Sequence, residues 1–416
     1  MKSFFKNISR WSSKSNDRKV LIQNFCYLSL LQFAGYLFPL LTMPYLARVI
    51  GPVGFGKIAF ALAVIVWIQT IVDWGFSFTA TRDIAQNRND INKVSEILSV
   101  VLVTKILISV FAFFILWAFV VYVPMLKENS NILFISYLMI PGYILFPDWF
   151  FQAIEKMQYT TIFSLIIKFI FTVLVFILIE DENDYILQPL ITAIGYILCG
   201  MVSLFLIFYK WGYRFFFPSI TSVFAAIKGS ANIFIFNLVP NLYNSFSILL
   251  LNLYGGTAAN GFFDGGNRFV TLFQNLQLVL SRTFFPFLSR RIDRHLFFAK
   301  LNFIVGVLFC ALLFTFAPII VDFMLGNDFQ ESVVIIRILS LSLVSLAVAN
   351  TYGTNYLIIY HHDKEMRNIT MISSLIGFLI AFPLINNYSC VGAALTILIS
   401  RSILAVLSFI KYKQLS

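Results

Sequence analysis

Between residues 21 and 410 the chain is a succession of apolar runs, each close to the ~20 residues that a helix needs to cross a ~30 Å hydrocarbon core. Hydropathy predicts twelve of them, at approximately 21–47, 56–80, 97–122, 132–154, 160–180, 186–209, 231–253, 257–285, 298–324, 332–359, 368–386 and 390–410. Barrel strands would alternate over ~10 residues, whereas these runs are long and uniformly apolar. A backbone in lipid must satisfy its own hydrogen bonds, so each run is expected to be helical. Charged residues are only 12% of 416 positions, and hydrophobic ones 59%. A soluble domain carries about 25% charge, more than this chain has to cover a wet surface. The predicted class is therefore an all-α polytopic membrane protein, with about 12 transmembrane helices in two six-helix lobes. The net charge of +11 is assigned to loops facing an anionic leaflet, with membrane lipids and no nucleic acid as partners.

Charge in the connections sets an orientation. One set of loops comprises the N-terminal tail, Arg82 to Lys93, Lys156, Lys210 to Lys228, Arg290 to Lys300, Lys364, Arg367 and the Lys411–Lys413 tail; together they carry 21 Lys and Arg. The opposite set carries 3 (Arg48, Lys57 and Lys127) along with Glu180, Asp181, Glu182, Asp184, Asp328 and Glu331. Positive charge stays inside, which predicts both termini in the cytoplasm and an even number of spans. The expected organisation is a basic tail at 1–20, a six-helix lobe at 21–209, a cytoplasmic linker at 210–230 and a second six-helix lobe at 231–416. Phe4, Phe5, Ile8 and Trp11 give the tail an apolar face for the membrane surface; a solvated basic tail is the other reading. The tail has no removable signal sequence. No internal loop approaches the ~50 residues of a small catalytic domain.

The stretch Pro39–Arg82 joins two apolar segments through Gly51-Pro52-Val53-Gly54-Phe55-Gly56. A weaker copy, LLLNLYGGTAANGFFDGGNRF, follows about 205 residues later, so that Gly51 aligns with Gly256 and Gly56 with Gly261. This repeat predicts two related halves. Prolines fall inside several runs (Pro39, Pro44, Pro141, Pro147, Pro189, Pro240, Pro318 and Pro383), where each frees a carbonyl and can bend the helix. Pro39 and Pro240 open the equivalent first helices of the halves and are the better candidates for bending elements.

No enzyme constellation survives inspection, and no GxxxxGK[ST] loop is present for an ATP-driven pump. Cys26, Cys199, Cys310 and Cys390 are isolated and read as packing residues. His295, His361 and His362 are expected in cytoplasmic loops and form no metal site; no cofactor is expected. What remains is a set of charges too deep for loops: Lys105, Lys168, Arg268, Arg337 and Arg401, with the acids Asp73 and Asp264 at comparable depth and Asp148 nearer the cytoplasmic edge. Each buried charge costs about 2.5–3.5 kcal/mol on insertion scales, so it should face a cavity or a partner. Two readings stand for most of them. Asp264 and Arg268 are four apart, the helical ion-pair spacing. Lys105 and Lys168 could snorkel inward and Arg337 outward. Arg401 has no acid nearby in sequence. Five deep cations against two deep acids point to a cavity tuned for anions, with Asp73 and Asp264 as ion-pair or coupling acids.

The segment Pro44-Tyr45-Leu46-Ala47-Arg48-Val49-Ile50-Gly51-Pro52-Val53-Gly54-Phe55-Gly56, with Thr81-Arg82-Asp83-Ile84-Ala85 after the second helix, resembles the signature region of polysaccharide repeat-unit (O-antigen) flippases. These belong to the multidrug/oligosaccharidyl-lipid/polysaccharide exporter superfamily. The resemblance implies two six-helix lobes around a cavity that opens alternately to each side. It implies a polyprenyl-diphosphate-linked oligosaccharide as substrate, turned from the cytoplasmic to the outer leaflet of a bacterial inner membrane, with polysaccharide polymerase machinery as a partner. Such a protein is not an enzyme. Arg48 matches the family's motif arginine and is assigned to gating or headgroup contact, with capping of the Gly51 turn as the other reading. Two alternatives remain. A multidrug antiporter of the same fold would call for surplus cavity acids, and a membrane polymerase or glycosyltransferase would call for a large catalytic loop.

Overall fold

The computed structural model describes residues 14–239, 245–290, 294–360 and 362–415. The expectations for residues 1–13, for Pro240 and for His361 fall outside them. Among the described residues the chain is helical apart from its connections, of which 211–219 is the longest, and contains no strand. Helices α1 (Lys14–Asp73), α2 (Phe76–Gln86) and α3 (Ile91–Tyr122) are followed by four short ones, α4 (Pro124–Glu128), α5 (Ser130–Tyr137), α6 (Met139–Leu145) and α7 (Asp148–Ala153). Then come α8 (Met157–Leu178), α9 (Leu187–Phe205), α10 (Ile220–Leu238), α11 (Ser245–Arg290), α12 (His295–Met324), α13 (Glu331–Val348) and α14 (Asp363–Leu415). By length and composition, 8 helical stretches among the described residues can cross a membrane.

Three of these helices are interrupted where the backbone leaves helical geometry: α1 at Gly51 (φ 61°, ψ 179°), α11 at Gly256 (φ 81°, ψ 176°) and α14 at Ser389 (φ 49°, ψ −127°). The repeat seen in the sequence is thus a repeat in conformation. Gly51 and Gly256 adopt the same positive-φ geometry, which a side chain would strain. At Ser389 the chain folds back on itself. A Cβ on Gly392 would run into the Leu384 carbonyl oxygen, whereas in an unbroken helix those residues lie ~12 Å apart.

The run predicted at 132–154 matches one of the 8 membrane-length stretches, Ser130–Ala153, which is built of three short helices, α5 to α7, rather than one continuous helix. Pro141 cannot donate to the carbonyl four residues back, at Tyr137, and α5 ends there. Pro147 forces Phe146 out of helical geometry (φ −99°, ψ 82°), and the chain restarts as α7 at Asp148. Pro318 and Pro383 stay inside continuous helix.

The most extensive helix pairing joins α1 to α11, and glycine makes it possible. A Cβ on Gly56 would collide with the Thr257 carbonyl, and one on Gly261 with the Pro52 carbonyl. Pro52 and Thr257 are themselves equivalent in the repeat, so the contact is reciprocal: each turn sets its glycine against the start of the other. Phe55 and Phe262 both pack edge-on against Phe329 beside it. Farther along, Trp74 stacks on Phe234 at 4.1 Å and donates to the Ile227 carbonyl, while Thr79 meets Ser230 at 2.8 Å. His295 departs from its expected loop setting. It is buried at the start of α12, against Tyr352, Tyr356 and Tyr412, with Nε2 3.1 Å from the Thr351 carbonyl oxygen.

Candidate functional site

Two polar hollows lie near the predicted charges. The first is a cleft of about 350 Å³ between the first arm of α1 and the second arm of α11. Asp264, Asn267, Arg268, Thr271 and Asn275 line it, a spacing that puts them on one helical face. Arg268 donates through Nε to Asp264 at 2.8 Å, and its guanidinium lies 4.6 Å from the centre of the Phe55 ring. The pair is only partly covered, Arg268 keeping 31% of its side-chain exposure. Lys168 does not line the cleft; its Nζ packs beside Gly35 of α1, 3.3 Å from where a Cβ on that glycine would lie.

The second hollow, about 500 Å³, sits within the N-terminal half, between α1, α3, α6, α8 and α9. Lys105, buried, donates to Asp73 at 2.8 Å, and Ser77 donates to the same oxygen. The ammonium also lies 5.6 Å from the Trp149 ring. Asp148, Tyr143, Tyr196 and Gln69 also line it, with the hydroxyls of Thr70, Thr160 and Ser164. Sequence reasoning placed Asp148 near an edge and did not consider the others. The one local signal is Pro147, whose break turns Asp148 onto the start of a new helix.

The remaining predicted residues line neither hollow. Arg401 is buried at 6% exposure; Nη1 donates to Ser342 and Nη2 to Gln274, each at 2.8 Å, so it ties α14 to α13 and α11. Arg337 lies over Phe314 at 5.5 Å and donates to its carbonyl at 3.3 Å. Arg48 donates to the Phe323 carbonyl at 2.8 Å. That oxygen belongs to the last turn of α12, where carbonyls lack helical partners and the dipole favours a cation. Arg48 therefore caps α12, across the junction of the two halves, and not its own Gly51 turn. The five cations do not converge on one cavity: Arg268 lines the cleft, Lys105 lines the second hollow, and Lys168, Arg337 and Arg401 line neither.

The fold is shared by membrane transporters. The lipid II flippase MurJ, in an inward closed conformation, superposes with a TM-score of 0.74 at 14% identity, covering 94% of this chain and 87% of that one. An inward-facing multidrug resistance MATE family transporter of the MOP superfamily superposes at 0.68, also at 14% identity, covering 94% and 97%. The polysaccharide biosynthesis protein family matches residues 21–292, more than half of the chain, and the chain belongs to that family. A relative named "Putative O-antigen transporter" from Escherichia coli (strain K12) is 25% identical over 411 residues, 96% of this chain and 99% of the relative. A relative of the same name from Shigella dysenteriae is 26% identical over 399 residues, 94% and 99%.

Proposed function

We propose that the protein is a flippase that moves a polyprenyl-diphosphate-linked oligosaccharide from the cytoplasmic to the outer leaflet of a bacterial inner membrane by alternating access. In this reading the chain crosses the membrane twelve times, as two six-helix lobes with both termini in the cytoplasm. The observation that carries it is the α1–α11 cleft. Arg268 offers a planar fork suited to phosphoryl oxygens, and Asn267, Thr271 and Asn275 supply amides and a hydroxyl on the same face. Asp264 neutralises Arg268 while the cleft is empty and so lowers the cost of holding the charge in the membrane. A diphosphate entering the cleft would take over the outer donors of the guanidinium. The polyprenyl tail stays in lipid.

Alternating access needs two halves that part reversibly. The reciprocal Gly56–Thr257 and Gly261–Pro52 contacts, with the Arg48–Phe323 bond beside them, suit an outer gate in its closed state. They are backbone packing and one neutral-acceptor hydrogen bond, which separate without stranding a charge in lipid.

The experiment is deletion of the gene followed by leaflet-resolved measurement of lipid-linked repeat units. Accumulation on the cytoplasmic leaflet, reversed by the wild-type gene, is the expected outcome. Repeat units already turned outward in the deletion strain would instead assign the protein to a later step, such as polymerisation.

A further inference from the structure

We infer that the 500 Å³ hollow within the N-terminal half is a sugar-recognition pocket, which takes a monosaccharide of the lipid-linked chain while the diphosphate occupies the α1–α11 cleft. The inference rests on the flippase reading above and adds a second, chemically different subsite to it.

The pocket is unsuited to phosphate. Its one cation, Lys105, is engaged with Asp73, and Asp73 accepts a further bond from Ser77. Asp148 adds a second acidic group and no further cation is among the lining residues, so nothing there favours an anion. What the pocket does offer is hydrogen-bonding capacity that the protein leaves unused. Gln69, Thr160 and Ser164 line it, and none of them bonds to another described residue. Asp148 lines the hollow, and its side chain accepts the Trp149 amide at 2.8 Å through Oδ1. Polar groups held inside a membrane protein without partners are costly unless a ligand or water meets them.

Hydroxyl-rich ligands match this lining. A carboxylate and a primary amide can each bridge neighbouring sugar hydroxyls, and Ser and Thr can both donate and accept. The apolar CH face of a pyranose needs an aromatic wall. Tyr143 and Tyr196 provide it, their rings 4.6 Å apart and inclined at 51°, with Phe146 beyond Tyr196 at 6.4 Å. The volume falls in the 300–1,000 Å³ range of small-ligand sites. A pocket built on hydroxyl contacts discriminates strongly, because a ligand without the hydroxyl leaves buried polar groups unpaired. The pocket would therefore select among sugars, while the cleft reads the diphosphate common to all of them.

The test uses the full chain in nanodiscs and two probes: lipid-linked repeat units extracted from cells that lack the flippase, and bare undecaprenyl diphosphate. Wild type should bind the sugar-bearing lipid more tightly. Asp148→Asn and Gln69→Ala should each weaken that binding about tenfold or more, with binding of the bare lipid unchanged. Gln69 has no protein partner, so its variant carries the test if Asp148→Asn fails to fold. Equal loss for both lipids, or loss for neither, would overturn the pocket and leave the flippase reading standing. Wild type that binds neither lipid would sink both. Tight binding of tetraphenylphosphonium that Asp148→Asn abolishes would assign the pocket to a cationic drug, and the sugar proposal would fall.

Discussion

The polar side chains around α13 in the C-terminal half and those around the 500 Å³ hollow in the N-terminal half are used in different ways. Around α13 three amides close on the backbone. Gln277 donates to the Leu343 carbonyl at 3.1 Å, Asn302 to that of Ala347 at 2.9 Å and Asn355 to that of Asn350 at 3.0 Å, all three fully buried. Their targets lie on α13 and on the π-helix that extends it, Ala349–Ile358, where wider turns change which carbonyls are paired. Arg401 extends the network through Ser342 and Gln274. In the N-terminal half, by contrast, Gln69, Thr160, Ser164 and Asp148 face a hollow. Polar residues that lock helices together and polar residues kept for a ligand look alike in sequence. What distinguishes them is whether the partner is protein.

That contrast can be tested, beginning with the contact that both halves share. Gly56→Val or Gly261→Val should give the largest effect. Each drives side-chain atoms into the opposing backbone, at about 3 kcal/mol or more, so monodisperse protein should be lost from size-exclusion profiles. Recovery of normal yield in either variant would show that the halves do not meet there.

Next come the arginines. Arg401→Ala removes the donor to Ser342 and Gln274 in a buried site and should lower stability by about 2 kcal/mol, seen as a fall in thermal midpoint. Asp264→Ala combined with Arg268→Ala removes a charge together with its partner. The double variant should keep near-normal thermal stability and lose leaflet transfer of lipid-linked repeat units. If Arg401→Ala were stable but inactive, and the double variant active, the locking and binding roles would be reversed.

A smaller difference separates the amides. Asn302→Leu should cost about 1–3 kcal/mol, because the Ala347 carbonyl is left unpaired. Gln69→Ala, with no partner to lose, should stay within about 0.5 kcal/mol of wild type in the same melt.

The smallest effect belongs to the Glu180–Asp184 loop, outside the helices that compose the halves. The backbone N–H groups of Glu180 and Asp181, each 2.9 Å from Asp184 Oδ2, hold that carboxyl below its ordinary value of 3.8. A lowered carboxylate contributes order above the ordinary value, and that order is lost as pH falls through the lower one. A carboxyl carbon NMR titration should place Asp184 below 3.8; a normal titration would mean that the capped turn is not populated.

Much of this architecture can be read from local chemistry. Apolar runs of membrane length dictate helices because lipid offers the backbone no other partner. The Gly51–Gly56 pattern and its copy at Gly256–Gly261 announce a repeat, since only a residue without a Cβ tolerates the positive φ at Gly51 and Gly256 or the backbone contact at Gly56 and Gly261. Asp264 and Arg268 sit at helical ion-pair spacing and do pair. Depth and sign also mark Lys105 and Arg401 as needing partners. Those partners could not be found along the chain. Asp73 lies 32 residues from Lys105, and Ser342 and Gln274 lie 59 and 127 residues from Arg401. Asp148 lines a hollow only because the Pro141 and Pro147 breaks turn the chain beneath it. Helix formation depends on neighbours within one turn, so composition and spacing determine it. Whether a buried charge meets an acid, a hydroxyl or an empty pocket depends on which helices pack side by side, and that was decided by the tertiary structure.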